Sequence, residues 1–228
     1  LAPIVVAKVG GSLFDLPDLP LRLRSWFAAR PEGGIVLVPG GGAAVDEIRR
    51  RFACGECSDY EAHWLAVEAM GFHAVRLARA LACRAVASFR ECRAAPDRWL
   101  ALDVAPELKA DRGRSLPVGW EVTSDSIAAW CSVRLGAAAL YLLKSVGGAE
   151  PLSVEAAAAR GWVDAHFPMV AATAPRLEWV NLRHDPPFST ELTWSSSQGK
   201  PAGNSYSRAS QTPSREISCT TLPRDRIR

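Results

Sequence analysis

The residues with chemistry to offer stand at four places in the chain. Lys8, Gly10, Gly11 and Ser12 close the apolar run IVVAKVGGSLF, and Gly40, Gly41 and Gly42 close a second, IVLVPGGGAAVD. Thr123, Ser124 and Asp125 stand where a helical pattern begins, and Lys144 ends a third apolar run. Glycines bring backbone N–H groups close to a ligand, a lysine adds a point charge, and a helix N-terminus offers unpaired N–H groups with a favourable dipole. Together these are the materials of a phosphate site. Each glycine cluster taken alone is equally well a tight turn, and Asp125 taken alone is a helix cap before it is a catalyst.

The elements that must position these residues alternate along the chain. Val5, Val6, Ala7 and Val9 suit a strand buried on both faces, and residues 35–38 repeat the pattern. Between them, Pro17 and Pro20 lead into a helix carrying Leu23, Trp26 and Phe27. Val45, Ile48 and Phe52 mark one face of a helix after the triple glycine. Residues 59–81 read as one long helix, with Trp64, Val67, Gly71, Val75 and Ala78 on its stripe. Short strands are expected at 84–88 and 98–102, and the polar segment 106–117 is expected to be a loop. Val118, Trp120 and Val122 alternate, which predicts an extended piece before the helix that carries Ile127, Trp130 and Cys131. A buried strand at 137–143, a helix at 153–159 and a last strand at 176–182 complete the pattern. Strands alternating with helices imply an α/β fold, a three-layer αβα sandwich with a mainly parallel central sheet. Its ligand sites lie beyond the C-terminal ends of the strands, so the three marked turns share one edge.

Composition excludes several classes. Of 228 residues, 48% are apolar, which is ample for a core. The net charge of +3 comes from the segment 186–228, leaving the rest neutral, so nucleic acid is not expected as a partner. That segment holds nine serines and five prolines without apolar periodicity, and it reads as a disordered tail after a domain at 1–185. No apolar run approaches twenty residues, so no membrane span is expected and the protein reads as cytoplasmic. The six cysteines read as reduced thiols, and the single C-x-x-C at Cys54 and Cys57 lacks the second ligand pair of a zinc site.

The order K-x-G-G-S, V-P-G-G-G, T-S-D-S before a helix, and a strand ending in L-L-K-S-V resembles the amino acid kinase family over residues 4–168. AHWLAVEAMGFHAVRLA, LPVGWEVTSDSIAAW and GWVDAHFP are similar to the branch that phosphorylates 5-(aminomethyl)-3-furanmethanol phosphate in methanofuran biosynthesis. The resemblance implies ATP with Mg2+ and in-line transfer to a small phosphorylated acceptor, within a homo-oligomer. It gives Lys8 the role of stabilising the transferring group, Lys144 that of a second cation on the nucleotide side, and Asp125 that of orienting the lysines. Gly10, Gly11, Ser12, Gly40, Gly41 and Gly42 would hold phosphate oxygens. Thr123 and Ser124 would neighbour the acceptor. Lys144 stands one residue out of register with the uridylate kinase pattern.

Asp46, His63, Glu68 and Trp120 are of types that could meet an amine-bearing aromatic acceptor, a carboxylate pairing an ammonium and an indole stacking a furan. His63 and Glu68 are equally an ordinary helix surface, and Trp120 a core residue. The same fold also admits a carboxylate, uridylate or isopentenyl phosphate as acceptor. A non-catalytic anion or nucleotide-binding protein would use the same glycine loops.

Overall fold

The structure of the chain, a computed structural model, describes residues 3–30, 33–147 and 150–195. The three strongest apolar runs form the middle of its sheet as β1 (Ile4–Val9), β2 (Gly34–Pro39) and β5 (Ala139–Lys144). These strands are buried along nearly their whole length, as strands covered on both faces must be. β1 lies between the other two and parallel to both, with Val9 level with Pro39 and Leu143. The turns after them therefore leave the sheet along one edge.

β3 (Arg84–Val86), β4 (Trp99–Leu102), β6 (Leu152–Ser153), β7 (Arg176–Asn181) and β8 (Phe188–Thr193) complete it. The eight strands run in the order β3-β4-β2-β1-β5-β7-β8-β6. Among the described residues only the β7–β8 pair is antiparallel. The helices are α1 (Leu19–Ala28), α2 (Ala43–Ala53), α3 (Asp59–Ala80), α4 (Phe89–Ala94), α5 (Ala105–Asp111), α6 (Ser124–Leu135), α7 (Val154–Ala159) and α8 (Phe167–Ala171).

Strand side chains alternate between faces, and two cores result. Val6, Val36, Val38, Leu140 and Leu142 pack with α6, α7 and α8 on one face. Val5, Ala7, Val9, Leu37, Tyr141 and Leu143 pack with Leu23 and Phe27 of α1 on the other. α3 contributes to both, with Val67 and Met70 in the first core and Ala74, Leu77 and Ala78 in the second. Its capping box is complete: Ser58 accepts from the Glu61 N–H, and Glu61 accepts from the Ser58 N–H. The α/β expectation holds.

Four local expectations are corrected. The segment expected as a loop at 106–117 contains α5, because Pro106 sits in its first turn, Asp103 accepts from the Ala105 N–H at 3.1 Å, and Leu108 is buried. Residues 118–122 form no strand: the Trp120 N–H is donated to Asp59 at 2.7 Å and the Val122 N–H to Gly119, which makes a turn. Val75 lies off the buried stripe of α3, whose inner face is instead Val67, Met70, Gly71, Ala74 and Ala78. Finally, the expected tail begins too early. Phe188–Thr193 pairs antiparallel with β7, and Leu192 is buried in the first core. Its alternation of apolar and polar residues is too short to stand out among serines and prolines. Gly148, Cys219 and residues 196–228 lie outside the described residues.

Cys54, Cys57, Cys83, Cys92 and Cys131 are free thiols, and no helix among the described residues is long and apolar enough to cross a membrane. Leu142 lies on the central strand β5 and is wholly buried. Leu142→Ala should therefore cost about 2–5 kcal/mol, seen as a lower denaturant midpoint at unchanged slope.

Candidate active site

Lys8 shares the sheet face of Val6, and Lys144 that of Leu140 and Leu142. Because β1 and β5 are neighbours, with Lys8 level with Leu142, the two lysines emerge side by side on the α6 face. Asp125, in the first turn of α6, meets both. Its Oδ1 lies 2.9 Å from Lys8 Nζ and 2.8 Å from Lys144 Nζ. Lys144 also donates to Oδ2 at 2.9 Å and to the Trp162 carbonyl at 2.6 Å, and its ammonium lies 5.4 Å from the Trp179 ring centre. All three charged residues are buried, at 4%, 5% and 8% exposure for Lys8, Asp125 and Lys144.

Two ammonium groups thus share one carboxylate in a buried place. Burial alone would raise the Asp125 carboxyl, but Lys144 and then Lys8 outweigh it and hold it below the usual range. Burial and, more weakly, Lys8 pull the Lys144 ammonium down to about 8, against the attraction of Asp125. The cluster carries one positive charge in excess at neutral pH, and an anion arriving beside it would be stabilised. A buried ammonium left without its full complement of negative charge is costly.

Asp125 is held in place through its helix. Thr123, the N-cap of α6, accepts from the Asp125 N–H at 3.4 Å. Asp164 fastens this helix start from outside. It accepts from the Thr123 N–H and hydroxyl and from the Ser126 N–H and hydroxyl, and also from the N–H groups of His166 and Phe167 at the start of α8. Trp162, which receives Lys144, lies two residues before it, so one loop supports both partners of the ion cluster.

The glycine loops pack against each other. A Cβ on Gly11 would lie 2.7 Å from the Gly42 nitrogen, and one on Gly40 would lie 2.9 Å from the Gly11 nitrogen. Gly42 has φ +61 and caps α2, and a Cβ there would overlap the His73 ring. No other residue type allows this approach. Two of the expected N–H donors are already used: Gly10 donates to Leu143 and Gly40 to Val9, both at 2.8 Å. These bonds tie the loops to the neighbouring strand ends, and they correct the expectation that Gly10 and Gly40 offer N–H groups to a phosphate. Gly11, Ser12, Gly41 and Gly42 keep that capacity and line a cavity of about 770 Å³.

The same cavity is lined by Asp46, His63, Trp120, Thr123, Ser124 and Asp125. Lys8 and Lys144 do not line it; they lie behind Asp125. Asp46 is exposed and paired with Arg49 at 2.6 Å, so its carboxylate is not free for an ammonium without breaking that pair. His63 is buried with Nδ1 3.0 Å from the Gly119 carbonyl, and burial lowers its pKa. Trp120 is half-buried and stacks on Phe52 at 5.7 Å, which places its ring at the cavity rather than in the core. Glu68 lines a separate groove with Trp64 and Lys109, and is not part of this site.

Sequence reasoning passed over His73, Arg76, Arg183 and Asp15, which also line the cavity, and Asp164. His73 is buried between Gly71 and Ala74 of α3 and Arg76 is exposed one turn further on, a signal that becomes readable only once the triple glycine is known to lie over that helix. The Lys144 titration is directly measurable. A lysine side-chain NMR signal with a midpoint near pH 8 is expected, falling further in Asp125→Asn, where the opposing negative charge is gone. A midpoint near that of a free lysine would contradict the buried arrangement.

No family model matches the sequence, and no curated protein matches it. The fold, in contrast, has clear counterparts. The uridylate kinase from Archaeoglobus fulgidus superposes with a TM-score of 0.56 at 14% identity, over 84% of this chain and 90% of that one. The UMP kinase from Ureaplasma parvum gives 0.53 at 13%, over 82% and 93%, and that from Bacillus anthracis gives 0.54 at 11%, over 80% and 88%. The order of strands and helices that carries Lys8, the two glycine loops, Asp125 and Lys144 is thus a fold shared with these uridylate and UMP kinases.

Proposed function

We propose that the protein is an ATP-dependent phosphotransferase whose acceptor is a small molecule already bearing a phosphate. The observation that carries this reading is the buried pair of ammonium groups on a single carboxylate, Asp125, which itself lines the cavity that the two glycine loops line. Phosphoryl transfer leaves little covalent work to the protein, and its demands are positioning and charge stabilisation. The bond from the γ-phosphorus to the β–γ bridging oxygen breaks as one forms to an oxygen of the acceptor phosphate, leaving ADP and a diphosphate. Lys8 and Lys144 are assigned to the transferring group, Asp125 to holding them apart and aimed, and the N–H groups of Gly11, Ser12, Gly41 and Gly42 to phosphate oxygens. Such fixed donors act at a barrier they need not reorganise to meet.

The cavity volume is within the range of small-molecule sites. Among the described residues no group of three or more His, Cys, Asp or Glu is placed to hold a metal ion. Asp125 is already engaged by both lysines. Mg2+ is assigned to the nucleotide, and no step is given to it. The resemblance in sequence favours 5-(aminomethyl)-3-furanmethanol phosphate as the acceptor, within methanofuran-type one-carbon metabolism. Uridylate, isopentenyl phosphate and a carboxylate are the alternatives. A cytoplasmic homo-oligomer accompanies the proposal.

A second reading is an anion or nucleotide-binding protein without transfer. It draws on the position of Lys8 and Lys144 behind Asp125, away from the cavity lining. ADP release from ATP and Mg2+ with the furan phosphate, uridylate, acetylglutamate and isopentenyl phosphate separates the readings. Turnover with one acceptor is expected, and Lys8→Ala should lower it by roughly 10² to 10³ fold. ATP binding with no ADP from any acceptor would favour the second reading. The alkaline limb of kcat/KM should fall through about pH 8, as Lys144 loses its proton in the free enzyme.

A further inference from the structure

His63 stands in the second turn of α3 and lines the cavity, although only 4% of it is exposed. Its Nδ1 lies 3.0 Å from the Gly119 carbonyl. A carbonyl oxygen has no proton to give, so Nδ1 is the donor, and in a neutral imidazole that leaves Nε2 bare. Burial is the largest influence on the titration of this ring and lowers it, against the Gly119 carbonyl, Asp59 and Glu121. The ring is therefore neutral at pH 7, with its tautomer set by one backbone oxygen.

That oxygen is itself held in place. Asp59, in the first turn of the same helix, accepts from the Trp120 N–H at 2.7 Å. A Cβ on Gly119 would lie 3.0 Å from Asp59 Oδ2 and 2.6 Å from Glu121 Oε2, so the turn passes close under two carboxylates. A side chain whose orientation is locked by such support is prepared to read a ligand rather than to adapt to one.

Nε2 makes no hydrogen bond among the described residues. The indole nitrogens of Trp64 and Trp130 are also unpaired, but they are closed off from solvent, and Nε2 is not. The space it meets is the cavity, since His63 takes no part in the neighbouring groove of Trp64 and Glu68. Ala66, Val67 and Val122 line the cavity with it and offer only hydrocarbon side chains. A deeply buried ring thus turns one lone pair toward a largely apolar wall.

We infer that His63 Nε2 accepts a hydrogen bond from an N–H or O–H that the acceptor molecule carries apart from its phosphate, which makes His63 a specificity-determining residue. An anionic oxygen at that place would meet a lone pair, and a hydrocarbon would leave Nε2 buried and unpaired, which is costly. A site built to take a substrate N–H or O–H discriminates strongly against an analogue that lacks it. Uridylate and the furan phosphate each carry such a donor, whereas isopentenyl phosphate carries none. That the bound molecule is a phosphoryl acceptor rests on the kinase reading above; the bare Nε2 at the cavity does not.

The test uses the full chain with uridylate, the furan phosphate and isopentenyl phosphate. Nitrogen-resolved histidine NMR reads the tautomer: a proton on Nδ1 and none on Nε2 is expected. Without nucleotide, the Nε2 signal should move saturably as uridylate or the furan phosphate is added. His63→Leu should weaken that binding, read by calorimetry, by roughly tenfold, the loss of one hydrogen bond. His63→Gln, whose amide oxygen is an acceptor, should bind roughly fivefold tighter than His63→Leu. If the leucine variant unfolds, the wild-type Nε2 signal decides. A proton on Nε2, an Nε2 signal that stays still as the ligand saturates, leucine and glutamine variants that bind alike, or no saturation by either donor-bearing compound overturns the inference. So does isopentenyl phosphate bound as tightly as the other two. ADP release in the same samples reads the kinase proposal separately. Ligand held through His63 by a chain that forms no ADP with any acceptor removes the kinase and leaves the subsite. ADP formed equally well by wild type and His63→Leu does the reverse.

Discussion

The constraint on which the site depends is that two buried ammonium groups share one buried carboxylate. Like charges this close repel, and each has lost water. Asp125 lowers the repulsion without removing the surplus charge. The arrangement is tolerable only if the carboxylate cannot drift away, since an unpaired ammonium here would be far more costly than a paired one. This accounts for the fastening around the start of α6. Thr123 caps it, and Asp164 accepts six hydrogen bonds that join it to the start of α8. Stability spent on holding an uncomfortable charge pattern is characteristic of sites built for function.

The glycine loops impose a second constraint, on distance rather than charge. Gly11 and Gly42 approach so closely that neither tolerates a Cβ, and Gly10 and Gly40 use their own N–H groups to fix the loops to adjacent strand ends. A loop that is anchored by some N–H groups can hold the remaining ones in a set direction. The division between Gly10 and Gly40 on one side, and Gly11, Ser12, Gly41 and Gly42 on the other, is a division between N–H groups that anchor the loops and residues that line the cavity without such an anchor.

Much of this was legible in the sequence because it depends on local pattern. The doubly buried strands, the glycine turns at their ends and the polar cluster before α6 are each written within a few residues. Even the convergence of Lys8 and Lys144 follows from the two-residue period of a strand once β1 and β5 are neighbours. What was hidden depends on contacts between distant segments. α5 looked like a loop because only Leu108 and Ala105 anchor an otherwise polar stretch, and β8 looked like tail because its alternation is brief. The turn at Trp120 is decided by Asp59, sixty-one positions away. His73, Arg76 and Asp164 are unremarkable letters until the loops they touch are in place.

One contact links the last part of the fold to the first. Arg183, just beyond β7, donates to the Ser12 carbonyl at 2.7 Å and the Asp15 carboxylate at 2.6 Å, while Ser12 and Ser145 share a hydrogen bond between their hydroxyls. The loop that opens the chain is thus completed by residues made 171 positions later. During synthesis, a ribosome would release the first glycine loop long before its closing strap exists. Contacts of such long sequence separation form late and slowly. The emerging chain would therefore pass through a period with two glycine loops in hand and no firm geometry for either, and the edge they form would be among the last parts of the molecule to acquire its shape.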